Sequence, residues 1–226
     1  NANSVRLLNA AGYDVVTPPA QGCCGALYAH SGNLARACDC ARANIAAFEG
    51  SGCEVIITNA AGCGSSLKEY GNWLKSEAAA QFGASVKDLT EFLAGRPLPP
   101  LKTSGERVTY HDACHLAHAQ RIAQAPRDLV RTVAGENFVE LPEADVCCGS
   151  AGTYNLTEPE MAERLQRRKI ENILKTNAEI VVTSNPGCIL QIQAGLNKAG
   201  SRIRVMHIAD YLCGSIQPPP TTKSSS

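Results

Sequence analysis

The sequence predicts an α/β fold with parallel sheets, and three observations carry that. Short β-branched runs such as Val55-Ile56-Ile57-Thr58 and Ile180-Val181-Val182-Thr183 read as buried strands. Stretches of helical length alternate with them, the pattern of parallel strands joined by helices. The same order of features also occurs twice. Gly22-Cys23-Cys24-Gly25 precedes a run that ends Thr58-Asn59-Ala60-Ala61-Gly62-Cys63. Cys147-Cys148-Gly149 precedes one that ends Thr183-Ser184-Asn185-Pro186-Gly187-Cys188. Cys24 and Cys63 lie 39 positions apart, Cys148 and Cys188 40, so the chain reads as a duplicated unit.

In chain order, Val5, Leu7 and Leu8 belong to a short helix that stops at Gly12. Tyr13 to Val16 is a strand closed by Thr17-Pro18-Pro19. Asn33 to Glu49 is an Ala-rich helix ended by Gly50 and Gly52. Glu54 to Thr58 is a strand, and Gly62-Cys63-Gly64 turns into a helix through Leu67, Tyr70 and Leu74. Val86 to Leu93 is a further helix, and 95–100 links the repeats. Val108 to Tyr110 is a strand with His111-Asp112-Ala113-Cys114-His115 at its carboxyl end. Pro126 to Val133 is a helix with Pro near its start. Phe138 to Leu141 is a strand that leads toward Cys147. Thr157 caps the next helix with Glu160 three residues on. Met161, Leu165 and Ile173 form the apolar face of that helix. Ile180 to Thr183 is a strand, Ile189 to Leu196 a helix, and Ile203 to Met206 the last strand.

These elements make two pseudo-repeated, Rossmann-like α/β units, 1–104 and 105–214, with a disordered Pro- and Ser-rich tail at 215–226. The thiols fall in loops at strand carboxyl ends, the rim where parallel sheets build sites. The counterpart of Cys114 in the first unit would lie about ten residues before Asn1, from the 33-residue step to Cys147. The chain therefore reads as a fragment or processed form.

Lys plus Arg and Asp plus Glu number 21 each, which excludes a basic nucleic-acid or polybasic membrane footprint. No apolar run is long enough to span a bilayer. Eleven cysteines with no leader peptide ahead of them point to a reducing compartment and to metal-binding or catalytic thiols.

Neighbouring side chains in an extended segment point apart. A vicinal Cys pair therefore suits a polynuclear centre, which offers several atoms to hold. The second unit supplies Cys114, Cys147, Cys148 and Cys188, a four-thiolate set of the kind that holds a [4Fe–4S] cluster. The first supplies Cys23, Cys24 and Cys63. Zinc stays open as an alternative, although structural zinc sites favour short C-x-x-C knuckles. Cys38, Cys40, Cys53 and Cys213 have no counterpart in the other repeat and read as packed thiols. His111, His115 and His118 surround Cys114 and read as structural histidines or as hydrogen-bond donors that tune a cluster. Lys68, Glu69 and Tyr70 carry no derivable function.

The paired Cys-Cys-Gly units resemble the cysteine-rich domain of heterodisulfide reductase B-type subunits. A finer set of segments is similar to the iron–sulfur subunit of glycolate oxidase (glycolate dehydrogenase). These are Gln21-Gly22-Cys23-Cys24-Gly25-Ala26-Leu27, Asn59-Ala60-Ala61-Gly62-Cys63-Gly64 and Leu67-Lys68-Glu69-Tyr70-Gly71, with Cys114-His115-Leu116-Ala117-His118-Ala119-Gln120 and the run from Cys147 to Leu156. The resemblance covers Val5 to Tyr211. It implies glycolate oxidation to glyoxylate, an oxidoreductase reaction on a CH–OH donor. Flavoprotein subunits would carry the hydride step, and this chain would pass electrons toward quinone or another acceptor. It also implies a cytoplasmic chain, or one peripheral on the inner face of the plasma membrane. With no G-x-G-x-x-G after a strand to hold a dinucleotide, the chain alone is expected to be inactive. The chain departs from the resemblance in lacking the ferredoxin-like C-x₂-C-x₂-C-x₃-C-P runs. It also has Ala60 and Asn185 where the heterodisulfide reductase type has a further cysteine. A lactate-utilisation or heterodisulfide-reductase-like subunit and a zinc-stabilised assembly module are the alternative readings.

Overall fold

The apolar run at 180–183 becomes an inner strand of a parallel sheet, as a segment buried on both faces does. The computed structural model describes residues 1–217. The first half holds α1 (Ala2–Ala10), α2 (Ala26–His30), α3 (Leu34–Phe48), β1 (Ile56–Thr58), α4 (Ala61–Lys68), α5 (Tyr70–Leu74), α6 (Glu77–Ser85), β2 (Val86–Asp88) and α7 (Leu89–Leu93). The second holds β3 (Val108–Tyr110), a π-helical turn (His115–Ala119), α8 (Gln124–Ala134), β4 (Phe138–Val139), α9 (Tyr154–Thr157), α10 (Pro159–Lys175), β5 (Ile180–Thr183), α11 (Pro186–Lys198), β6 (Arg204–His207) and α12 (Ile208–Gly214).

All pairings within the sheets are parallel, as an α/β fold requires. β1 lies beside β2, with Ile56 opposite Val86. The larger sheet runs β4-β3-β5-β6, with Val108 opposite Ile180 and Val182 opposite Met206. Side chains on β5 alternate between two cores. Ile180 and Val182 pack with Val108, Tyr110, Val130 and Leu212. Val181 packs on the other side with Ile173, Ile192 and Leu196. Leu7 and Leu8 of α1 and Leu89 and Leu93 of α7 join the first of these cores, so the two halves share it. Among the described residues no helix is long and apolar enough to cross a membrane.

Several elements differ from expectation. Residues 13–16 form no strand; Tyr13 instead packs edge-on against Phe92, ring centroids 4.9 Å apart. The helix expected over Val86 to Leu93 splits into β2 and α7, because Asp88 caps α7 and Glu91 returns to the Asp88 N–H in a capping box. Thr157 does not cap α10. It ends α9, and α10 starts with Pro159 at its first position. Met161 is exposed, and the buried face of α10 runs instead through Ala162, Gln166, Lys169, Ile170 and Ile173. Part of the expected tail is tied down: Ile216 bridges Leu101, and Gln217 N–H donates to Pro100 O at 2.8 Å. Residues 218–226 of that tail lie outside the described residues.

Candidate metal centre

β3 and β5 are neighbours and parallel, so the residues just past their carboxyl ends meet. Past β3, Cys114 opens the π-helical turn. Past β5, Asn185 is extended and Pro186 starts α11, which puts Cys188 in the first turn of that helix. The segment after β4 reaches the same rim. Asp112 N–H donates to Ala144 O at 3.2 Å. The side chain of Lys169, 1% exposed, donates to Glu143 O, and to Ala144 O at 3.2 Å. The Cys147-Cys148-Gly149 loop follows. Gly149 has φ +93°, and a Cβ there would overlap the Ala162 carbonyl oxygen of α10, so only glycine lets the loop lie this close. Gly149 N–H turns back to Cys147 Sγ at 3.3 Å.

The four thiols influence one another in a row, Cys114 with Cys147, Cys147 with Cys148, and Cys148 with Cys188, whose sulfurs lie within 4.8 Å. Neighbouring thiols this strongly coupled cannot all be anionic, so protons divide between them. Contact with Cys114 and Cys148 holds the Cys147 thiol far below its ordinary value, against its burial. The neighbouring Cys148 does the same for Cys188, with help from a bond donated by Asn185 Nδ2 at 3.5 Å. The Cys114 and Cys148 thiols are pushed up by these same contacts and by burial. A soft cation displaces such protons and takes the sulfurs as thiolates. The donor set therefore fits an iron–sulfur cluster. A second mark at the same place is His111, whose two ring nitrogens are buried with no hydrogen-bond partner among the described residues.

The first half repeats the design. Cys63 is the third residue of α4, as Cys188 is of α11. Gly25 has φ +81°, its Cβ would lie 3.0 Å from Ala37 O, and its N–H donates to Cys23 Sγ at 3.4 Å. Asn44 and Tyr70 hold this loop. Asn44 accepts Gly22 N–H and donates to Cys23 O, both at 2.9 Å, while Tyr70 OH donates to Cys24 O at 3.0 Å. Contact with Cys24 lowers the Cys63 thiol to about 7; the same contact and burial raise Cys24. Cys23 is exposed.

The structure thus brings Cys114, Cys147, Cys148 and Cys188 into one group, and Cys24 and Cys63 into another with Cys23 beside them. Of the cysteines given no ligand role, Cys40 lies against the first loop, its Cβ 3.2 Å from where a Gly25 Cβ would stand. Cys38 and Cys213 have local partners, Trp73 O at 3.6 Å and Asn3 Oδ1 at 3.7 Å. His118 Nε2 bonds Asp145 O at 3.1 Å, and His115 Nδ1 lies 3.6 Å from Cys114 Sγ. The His115 ring also faces His30 of the first half, centroids 5.5 Å apart. Sequence reasoning missed Asn44, Tyr70 and Lys169 as supports of the loops. For Lys169 a signal existed, since it shares the helical spacing of Ala162, Gln166 and Ile173. For Asn44 and Tyr70 no local pattern gives the long-range contact.

Known proteins match the same residues. The family described as "Cysteine-rich domain" (CCG) matches 1–68 and 108–193, the segments that carry both Cys-Cys-Gly loops and both Gly-Cys turns. A protein named probable glycolate oxidase iron-sulfur subunit, from Bacillus subtilis (strain 168), is 40% identical over 222 residues, 94% of this chain and 50% of that protein. The glycolate oxidase iron-sulfur subunit of Escherichia coli (strain K12) is 36% identical over 217 residues, 92% of this chain and 52% of that one. Lactate utilization protein A of Oceanobacillus iheyensis is 31% identical over 217 residues, 93% of this chain and 88% of that one. The chain spans about half the length of the two glycolate oxidase subunits it matches. Its duplicated glycine-pinned cysteine loops and the segments matched around them place it within a family: this chain belongs to the cysteine-rich (CCG) domain family.

Proposed function

We propose that the chain is the iron–sulfur electron-transfer part of a glycolate oxidase complex, placed between flavin-bearing subunits and quinone at the inner face of the plasma membrane. The observation that carries this reading is the row of four interacting cysteines, Cys114, Cys147, Cys148 and Cys188, at one sheet rim, with the sulfurs of Cys148 and Cys188 within 4.8 Å of each other. These are the proposed ligands of a [4Fe–4S] cluster in the unit 105–214, with Cys23, Cys24 and Cys63 as ligands of a centre in the unit 1–104. Such a cluster supplies one-electron transfer and leaves the hydride step to another cofactor.

The chain's own residues set the conditions for that transfer. Gly149 N–H and Asn185 Nδ2 donate to Cys147 and Cys188 and so disperse thiolate charge. Lys169 places a buried positive charge toward Cys148. Cys148 and Cys188 are 1% and 4% exposed, which keeps water from them, while Cys114 and Cys147 are only half-buried and give the side on which an electron partner docks. The test is metal and acid-labile sulfide analysis after anaerobic purification. Iron with sulfide is expected, lost with its visible absorption in Cys148→Ser. Zinc in place of iron, or unchanged iron and sulfide in that variant, overturns the assignment.

A lactate-linked role is the second reading, favoured by the 88% of the lactate utilization relative that the chain covers. Reconstitution with flavoprotein subunits of each kind, assayed with glycolate and with lactate, separates the two. The chain alone is expected to reduce no dye with either substrate.

A further inference from the structure

We propose that His111 is itself a ligand of the metal centre in the second unit, an imidazole donor beside the thiolates of Cys148 and Cys188. The proposal rests on the iron–sulfur reading above and goes beyond it in the donor set.

His111 is the first residue past β3, and its backbone N–H continues the ladder to Val182 O at 2.9 Å. The residue is therefore fixed at the rim, and its side chain is 1% exposed. A nitrogen of the ring and the sulfurs of Cys148 and Cys188 all lie within 4.8 Å of one another. Both ring nitrogens are buried, and neither makes a hydrogen bond to the described residues. A neutral imidazole has one donor and one acceptor to satisfy, and leaving a buried polar group unmet is costly.

The other histidines around the thiols do not share this state. His118 is engaged by Asp145 O, and His115 Nδ1 lies beside Cys114 Sγ. The neighbouring carboxylate gives no alternative role as an orienting partner. Asp112 is held by both terminal nitrogens of Arg127, at 2.7 and 2.6 Å. The metal-binding atoms placed beside the His111 ring are the sulfurs of Cys148 and Cys188. Imidazole is a good iron ligand, and histidine takes the place of cysteine at one iron in some clusters, where it raises the potential. A neutral donor also relieves the mutual repulsion of a set otherwise made of thiolates.

The test uses the full chain, purified anaerobically with iron and sulfide measured, and prepared with natural and with ¹⁵N-labelled histidine. Pulsed electron paramagnetic resonance on the paramagnetic state is expected to show a strongly coupled histidine nitrogen. That coupling is lost in His111→Cys and kept in His115→Gln and His118→Gln. His111→Cys is also expected to retain iron while its midpoint potential falls, because a thiolate replaces a neutral ligand. Iron and sulfide present with only the weak coupling of a hydrogen bond overturns this proposal alone, as does a strong coupling that survives in His111→Cys. Absence of iron from the unsubstituted chain overturns the reading beneath it as well.

Discussion

Asn185 donates its Nδ2 to Cys188 Sγ at 3.5 Å and, through Oδ1, accepts Gly62 N–H at 3.3 Å. One side chain therefore touches a thiol of the second unit and the residue next to Cys63 in the first. Two further bonds tighten the seam: Ala61 N–H to Ser184 O at 3.1 Å, and Gln120 Nε2 to Ala61 O at 3.0 Å. The two groups of thiols are therefore held in fixed relation. Replacing Asn185 with Ala removes a donor to sulfur and leaves the Gly62 N–H unmet. The midpoint potential of the second centre is expected to fall by on the order of 40 mV, the equivalent of about 1 kcal/mol for one electron. Iron content is expected to stay unchanged. Potentiometric titration measures the shift, and an unchanged potential would show that the bond to sulfur has no electronic effect.

The glycines of the two loops predict a graded series. Gly149→Ala meets both a positive φ and overlap with the Ala162 carbonyl, with an expected loss of at least about 3 kcal/mol. Gly25→Ala meets the same backbone penalty and a tight 3.0 Å contact with Ala37 O, and is expected to lose less. Gly12→Ala, with φ +89° and nothing within 4 Å, is expected to lose only the left-handed penalty of about 1–2 kcal/mol. Denaturant titrations of the three variants read this order directly. A Gly12 variant as damaged as the Gly149 one would refute the claim that close approach, rather than φ alone, selects glycine in the loops.

Much of this was legible in the sequence because the repeat is written in residues with few substitutes. The vicinal cysteines, the left-handed glycine after them and the Gly-Cys turn after a β-branched run each have one local cause, so spacing located them. The strand at Ile180–Thr183 was clear because burial on both faces leaves an unbroken apolar run. Val86 to Leu93 misled because Val86, Leu89 and Leu93 also fit a helical stripe; the Asp88 and Glu91 capping pair was the stronger signal. Thr157 and Glu160 misled in the opposite sense, since Pro159 starts the helix two residues beyond the apparent cap, with Glu158 at the cap position. His111 was read as structural or as a hydrogen-bond donor to a cluster, and not as a ligand, because its isolation from partners is a property of the fold and not of its neighbours in sequence.

Lys169 is buried in α10 and donates to the carbonyls of Glu143 and Ala144, just ahead of the Cys-Cys-Gly loop. Burial lowers its pKa, opposed by the nearby Cys148, Asp112, Asp145 and Glu143 groups. Lys169→Met keeps the stem's packing and removes the donors and the charge. The expected cost is about 3 kcal/mol, from bonds of a charged donor worth roughly 1.5–3 kcal/mol each. The loop it pins is expected to exchange its amide hydrogens faster, with less iron retained per chain. Hydrogen exchange over 143–149 and iron analysis check this; wild-type protection in the variant would remove Lys169 from the support of the site.

His207 gives a pH dependence of stability that is separate from the thiols. It caps α12 by accepting Ala209 N–H on Nδ1 at 3.1 Å, and its Nε2 bonds Asn59 O at 2.6 Å. The ring is therefore neutral, with the proton on Nε2, and it joins the last helix to the first half. Burial lowers its pKa from the ordinary 6.5, against the Asn59 carbonyl and Asp210, which raise it. Above pH 6.5 both the folded and the unfolded ring are neutral, and titration contributes nothing. As pH falls through 6.5 the unfolded chain takes up the proton first, so folding loses free energy until the folded ring protonates too. Protonation also turns the Nδ1 acceptor into a donor that faces Ala209 N–H. His207→Asn retains a capping side chain and has no titration. The difference in unfolding free energy between wild type and this variant isolates the effect from His115, whose pKa burial also lowers. That difference is expected to move against the wild type between pH 7 and 5 in urea titrations. A difference that stays flat over this range would show that His207 accepts a proton in the folded state as readily as in the unfolded chain.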